Sequence, residues 1–148
     1  MSRFVRPDVA ILKISQGDTL TVKRRLSSGE QREVYARMYT AGADGAMRLN
    51  PFQSGLALIT AYLVDWSLTD DDGHVVVIRD QPLETVTAAI NLLDHESFTE
   101  IKEAIEQHER AMVQEREQAR ADPFGETAAA AISPSQSAPA GMLTGSEP

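Results

Sequence analysis

Asn50-Pro51-Phe52-Gln53-Ser54-Gly55-Leu56-Ala57-Leu58-Ile59-Thr60-Ala61-Tyr62-Leu63-Val64-Asp65-Trp66 is the stretch that decides the fold. Asn50 is a good helix cap and Pro51 fits the first turn, where a missing N–H costs nothing. From Phe52 to Asp65 the segment is apolar on nearly every side, with Phe52, Leu56, Ile59 and Leu63 joined by Leu58, Tyr62 and Val64. A helix of that kind is normally the central one of its domain, because no face of it can be left in water. Gly55 on this helix marks a close crossing by another helix.

Working outward, the flanking elements are amphipathic. Toward the N-terminus, Val9 to Arg24 reads as a β-hairpin turning at Ser15-Gln16-Gly17-Asp18, with Leu20 and Val22 on one face and Thr19, Thr21 and Lys23 on the other. Ser27-Ser28-Gly29-Glu30 is a capping box that opens a first helix, with Val34, Met38 and Tyr35 on its stripe and its end near Tyr39. Ala41 to Gly45 then reads as a loop. Toward the C-terminus, Trp66 to Thr69 and Val75 to Ile78 form a second short hairpin tipped by Asp72-Gly73. A third helix runs from about Pro82 to Leu93. Asp94 caps a long fourth one on which Phe98, Ile101, Ile105, His108 and Met112 recur at helical spacing.

The expected fold is therefore α+β and mostly α-helical: an N-terminal hairpin, about four helices and a second short hairpin. The compact domain spans 1–121, and its charged end beyond Met112 projects into solvent. From 122 to 148 the chain is a mixture of Ala, Pro, Ser and Gly without periodicity. Such a composition carries too few large apolar residues to offset chain entropy, so a disordered tail is expected there.

Composition narrows the function. Of 148 residues 42% are hydrophobic, enough for a real core, and the formal net charge is -8. That charge argues against nucleic acid, whose phosphates need a concentrated basic face. Lys23-Arg24-Arg25 is the one basic cluster and reads as a charged strand end. The absence of cysteine removes disulfides, thiolate metal sites and thiol nucleophiles together. The N-terminus lacks the apolar core of a signal peptide, and no stretch has the roughly 20 apolar residues of a membrane span. A soluble, cytoplasmic protein is expected.

The usual catalytic and metal signatures do not occur in the sequence. Asp70-Asp71-Asp72-Gly73 fails the calcium-loop pattern, since Val75 and Gln81 fall where a Gly and a Glu are required. It reads as a turn. His74, His95 and His108 show no paired-ligand spacing, no glycine-rich phosphate loop is visible, and Ser27 and Ser28 are caps without a G-x-S-x-G context. The glutamates from Glu96 to Glu109 are a solvated helix face, interrupted by Lys102 and Arg110. No enzyme activity, cofactor or metal is expected.

Three blocks of sequence resemble a known family. Gly17-Asp18-Thr19-Leu20-Thr21-Val22-Lys23-Arg24 with Leu26 and Gly29-Glu30-Gln31-Arg32 is the first. Ala61-Tyr62-Leu63-Val64-Asp65-Trp66-Ser67-Leu68-Thr69-Asp70, closed by Asp72-Gly73, is the second and most distinctive. Leu93-Asp94, Phe98-Thr99-Glu100-Ile101, Ala104-Ile105 and His108-Glu109 make the third. Together, in this order, they resemble the tail assembly chaperones of long-tailed (siphovirus-type) bacteriophages and prophages. Two departures are His95, where a helix-opening Pro is expected, and the long Ala/Pro/Ser tail.

The resemblance implies a protein that binds the tape measure protein, a long, helix-rich and apolar chain, and keeps it soluble until the tail tube assembles. It implies no place in the mature virion and a possible contact with the tail tube protein. The candidate partner-binding residues are Phe52, Tyr62, Trp66, His108 and Met112. Core packing is the simpler role for Phe52, Tyr62 and Trp66; a groove beside Trp66 for a partner helix is the functional one. Self-association remains open. The alternative function is a structural virion component, such as a head–tail completion or tail-tube-associated protein.

Overall fold

The computed structural model describes residues 2–121, and the tail expected from the sequence lies outside them. By internal contacts the chain falls into two units, Met1–Arg110 and Ala111–Pro148. Among the described residues, every strand and every buried core side chain belongs to the first unit. Of the second, the described part is the last stretch of a helix, exposed from Val113 to Ala121.

The N-terminal hairpin forms as expected. Strands β1 (Val9–Lys13) and β2 (Thr19–Lys23) pair antiparallel with Ala10 opposite Val22 and Leu12 opposite Leu20. Leu20 and Val22 are wholly buried, which sets the inward face of the sheet. Because side chains alternate, Val9 and Ile11 are left on the outer face. Gln16 and Gly17 take positive φ to turn the chain between the strands.

Helix α1 (Ser28–Met38) starts at the capping box. The Ser27 hydroxyl accepts from the Glu30 N–H at 3.2 Å, and the Glu30 carboxylate accepts from the Ser27 N–H at 2.9 Å. Val34 is buried and Tyr35 is exposed, so the stripe is narrower than the sequence suggests.

The segment read as a loop after α1 is a hairpin. Strands β3 (Tyr39–Ala41) and β4 (Met47–Leu49) form a separate two-stranded ribbon, with Tyr39 opposite Leu49 and Ala41 opposite Met47. Its turn depends on Gly45 at φ +81° and on Asp44, which accepts from the Ala46 N–H. Only three residues pair on each side, so apolar periodicity is too short to register. The Asp44-Gly45 turn signal between alternating residues was present in the sequence.

Helix α2 (Pro51–Tyr62) is the central one. Asn50 caps it, accepting from the Phe52 and Gln53 N–H groups, and Ala57, Leu58, Ile59 and Tyr62 are buried. The helix stops three residues earlier than its apolar run. Leu63–Trp66 extends instead into strand β5, which adds antiparallel to β2 and gives the sheet order β1-β2-β5. Continuous burial of Leu63 and Trp66 hides that change, because a buried strand and a buried helix end share the same composition.

After β5 the second hairpin is reduced to one bridge, Thr69 to Val75, around a turn with Gly73 at φ +82°. Its second arm leaves the sheet so that Ile78 can be buried. Helix α3 (Leu83–Asn91) buries Val86 and Ile90. Helix α4 (His95–Ala121) is capped by Asp94, whose carboxylate accepts from the Ser97 N–H and hydroxyl at 2.8 Å each. Within the first unit, α4 inserts Ile101 and Ile105 into the core and crosses α2 at Gly55, where an added Cβ would stand 2.9 Å from Lys102 Cδ and 3.3 Å from Phe98 Cζ.

Among the described residues the architecture is α+β and mainly helical, with four α-helices, as the sequence led us to expect.

Candidate functional site

The three sequence blocks meet in space. The bulge between Thr21 and Val22 lets β5 end opposite Val22, so the Lys23 carbonyl extends past its ladder partner. His108 of α4 fills that gap, its Nε2 lying 3.0 Å from the Lys23 oxygen. A carbonyl oxygen only accepts, so Nε2 carries the proton. The Tyr62 ring stands edge-on to the imidazole at 5.9 Å between centroids, and the Tyr62 hydroxyl donates to Glu109 Oε2 at 3.1 Å. One buried node therefore ties β2, α2 and α4 together.

A second set of bonds holds the other end of the sheet. The Ser67 hydroxyl donates to Asp18 Oδ1 and accepts from the Thr19 N–H, each at 2.9 Å. Glu100 of α4 accepts from the N–H and the hydroxyl of Ser15, also at 2.9 Å. Trp66, buried at 5% exposure, donates its indole N–H to the Val76 carbonyl at 2.7 Å and so fastens the second hairpin to the sheet.

These contacts fix where three of the five candidate residues lie. Tyr62, Trp66 and His108 are interior. The expectation of Trp66 at the end of the central helix, lining a groove, is corrected: it sits on β5 with its ring buried and its nitrogen bonded. Phe52 is the opposite case, 87% exposed in the first turn of α2, and core packing does not account for it. Met112 belongs to the second unit and is half-buried. Of the four in the first unit, three are interior and Phe52 is exposed, so the four do not form one surface.

The apolar surface that sequence reasoning missed is the β3–β4 ribbon. The Asn50 N–H donates to the Met38 carbonyl and the Gly42 N–H to the Ala46 carbonyl. Tyr39–Leu49 and Ala41–Met47 are therefore the non-hydrogen-bonded pairs of the ribbon, whose side chains approach most closely. All four point to the same side. Tyr39, Met47 and Leu49 are exposed, Met47 at 61%. Thr40 and Arg48 take the other side, where Arg48 pairs with Asp44 at 2.9 Å. Phe52 follows three residues after Leu49.

Two carboxylates in the first unit have clear structural roles. Burial pushes the Glu30 carboxyl up, yet its bonds to the Lys23 ammonium and the Ser27 N–H and hydroxyl outweigh that and hold it below the usual glutamate value. The Ser97 N–H and hydroxyl hold Asp94 below the usual aspartate value. Asp70, Asp72 and His74 are near enough to share a cation, but all three are exposed. Asp70 Oδ1 already accepts from the N–H groups of Asp72 and His74, which is the ordinary chemistry of an Asx turn.

No family model, curated protein or solved structure matches the chain. Among the described residues no helix is long and apolar enough to cross a membrane.

Proposed function

We propose that this chain is a tail assembly chaperone of a long-tailed phage, acting without catalysis in the host cytoplasm. It binds apolar, amphipathic segments of the tape measure protein and keeps them soluble until the tube forms. The observation that carries the reading is the exposed ribbon face of Tyr39, Met47 and Leu49, with Phe52 beyond it. A monomeric soluble protein rarely keeps such side chains together in water without a contact to make. A helix laid against this face would bury its own apolar stripe there.

Two further facts support the assignment. The three blocks that resemble the chaperones pack against one another through Tyr62, His108 and Lys23, so the resemblance falls on one structural unit. The net charge of -8 keeps the chain itself soluble and suits a neutral or basic partner rather than nucleic acid.

The test is co-expression with a phage tape measure protein, followed by fractionation and pull-down. The long protein should move into the soluble fraction and co-purify. Purified particles should lack this chain; its stoichiometric presence there would instead place it among the structural virion components.

A further inference from the structure

Helices α1, α2 and α4 leave a small cavity between them, about 70 Å³ in volume. Its apolar wall is formed by buried Leu26, Val34 and Leu58 with half-buried Met38, and exposed Tyr35 stands beside them. Two polar residues complete the wall, Gln31 of α1 and Glu109 of α4. The lining therefore carries one carboxylate and no cation. The Tyr62 hydroxyl holds one end of that carboxylate, donating to Oε2 at 3.1 Å. Among the described residues this is the only hydrogen bond Glu109 makes through its side chain, so Oε1 keeps its full accepting capacity.

Size and charge together select what fits. An engineered cavity of ~150 Å³ takes benzene. About half that volume admits a short unbranched carbon chain and excludes an aromatic ring. A purely apolar side chain seated here would take the Glu109 carboxylate out of water without a partner, which is costly. A cation at the end of the chain reverses that penalty by forming a charge-assisted bond. Lysine has this shape, with methylenes that lie along apolar surface and a compact ammonium carrying three donors. Met38 lines the cavity and Tyr39, next in the chain, opens the ribbon, so the cavity and the apolar face begin at adjoining residues.

We propose that the cavity seats one lysine side chain of the partner whose apolar stripe covers the ribbon. The lysine stem lies against Val34, Met38 and Leu58, and its ammonium bonds Glu109 Oε1 with the Gln31 carbonyl as a second acceptor. The identity of that partner rests on the proposed chaperone function; the chemistry of the seat does not. The client segment is thereby an amphipathic helix with a lysine flanking its apolar stripe, and the net charge of -8 favours its approach over that of an acidic one.

The experiment is an amide NMR titration of the full chain with n-butylammonium chloride, the lysine side chain without its backbone, at constant ionic strength. Saturable shifts should appear at residues 31–38, Leu58 and Glu109, with a Kd of roughly millimolar order. n-Butanol, the same chain without charge, should bind about ten-fold more weakly. Butylammonium should lose as much on Glu109→Gln, which keeps an acceptor for the Tyr62 hydroxyl. Tetramethylammonium, a cation without a stem, should give no saturable shift at these residues. The Met47→Lys/Leu49→Lys chain should titrate as the wild type does, so failure of the ribbon as a binding face would leave this result standing. A wild type that does not saturate overturns the seat and leaves the ribbon untouched; so does n-butanol binding as tightly as butylammonium, or Glu109→Gln titrating unchanged. In co-expression, Glu109→Gln should retain several-fold less client than the wild type, and equal retention would overturn the client as the source of the lysine.

Discussion

Two antiparallel β elements in this molecule face opposite fates. The β1-β2-β5 sheet turns Leu20, Val22 and Trp66 into a core closed by α2 and α4. The β3–β4 ribbon carries a comparable apolar set, Tyr39, Met47 and Leu49, and leaves it in water. The difference teaches where to look for function. Side chains in the sheet are accounted for by folding, since their removal would open cavities or strand polar groups. Those in the ribbon contribute little to the fold, so their chemistry points to something outside the chain.

The sharpest way to break this comparison is to truncate one residue from each region. Trp66→Ala removes a buried ring and the bond to Val76, and should cost about 3–5 kcal/mol. Thermal melting should show a midpoint lower by more than ~10 °C. At the sealed node His108→Leu leaves the Lys23 carbonyl without its donor, and chemical denaturation should register a loss of about 1–3 kcal/mol. Ser27→Ala removes the α1 cap and should cost about 1 kcal/mol by the same measurement. Leu49→Lys in the ribbon should change stability by no more than about 0.5 kcal/mol. Equal losses for Trp66→Ala and Leu49→Lys would erase the distinction.

Acid sharpens the comparison further. Glu30 and Asp94 both have carboxyls held below their ordinary values in the folded chain. The unfolded chain therefore takes up protons first as pH falls, and stability drops with it. Their contribution is fully present above the ordinary carboxylate range and is lost as pH descends through the lowered folded values. Melting at successively lower pH should show this decline, and Glu30→Gln should flatten part of it. Solvent screening at half-buried Glu30 and exposed Asp94 keeps the effect small.

Much of the fold was legible because its signals are local. The capping box at Ser27, the Asn50-Pro51 start and the Asp94 cap each name a helix by the bonds its first turn needs. Leu20 and Val22 announce a half-buried strand by alternation alone. What escaped depends on tertiary pairing. Leu63–Trp66 is a strand because β2 stands beside it, and nothing in its composition separates it from a helix end. The ribbon escaped because each strand has three residues. For the candidate site, Tyr62, Trp66 and His108 were singled out as aromatic or polar groups on apolar stripes. Those stripes turn out to be the interior, whereas Phe52 was judged by its helix and stands outside it.

The most direct measurement compares two forms of the chain against the one client proposed for it. The tape measure protein is co-expressed with the wild type or with the Met47→Lys/Leu49→Lys double variant, and its soluble fraction is quantified. The account predicts that the wild type keeps the client soluble and bound, whereas the double variant melts at the same temperature and leaves the client in the pellet. A double variant that folds normally and still solubilises and retains the client would contradict the assignment of the ribbon as the binding face.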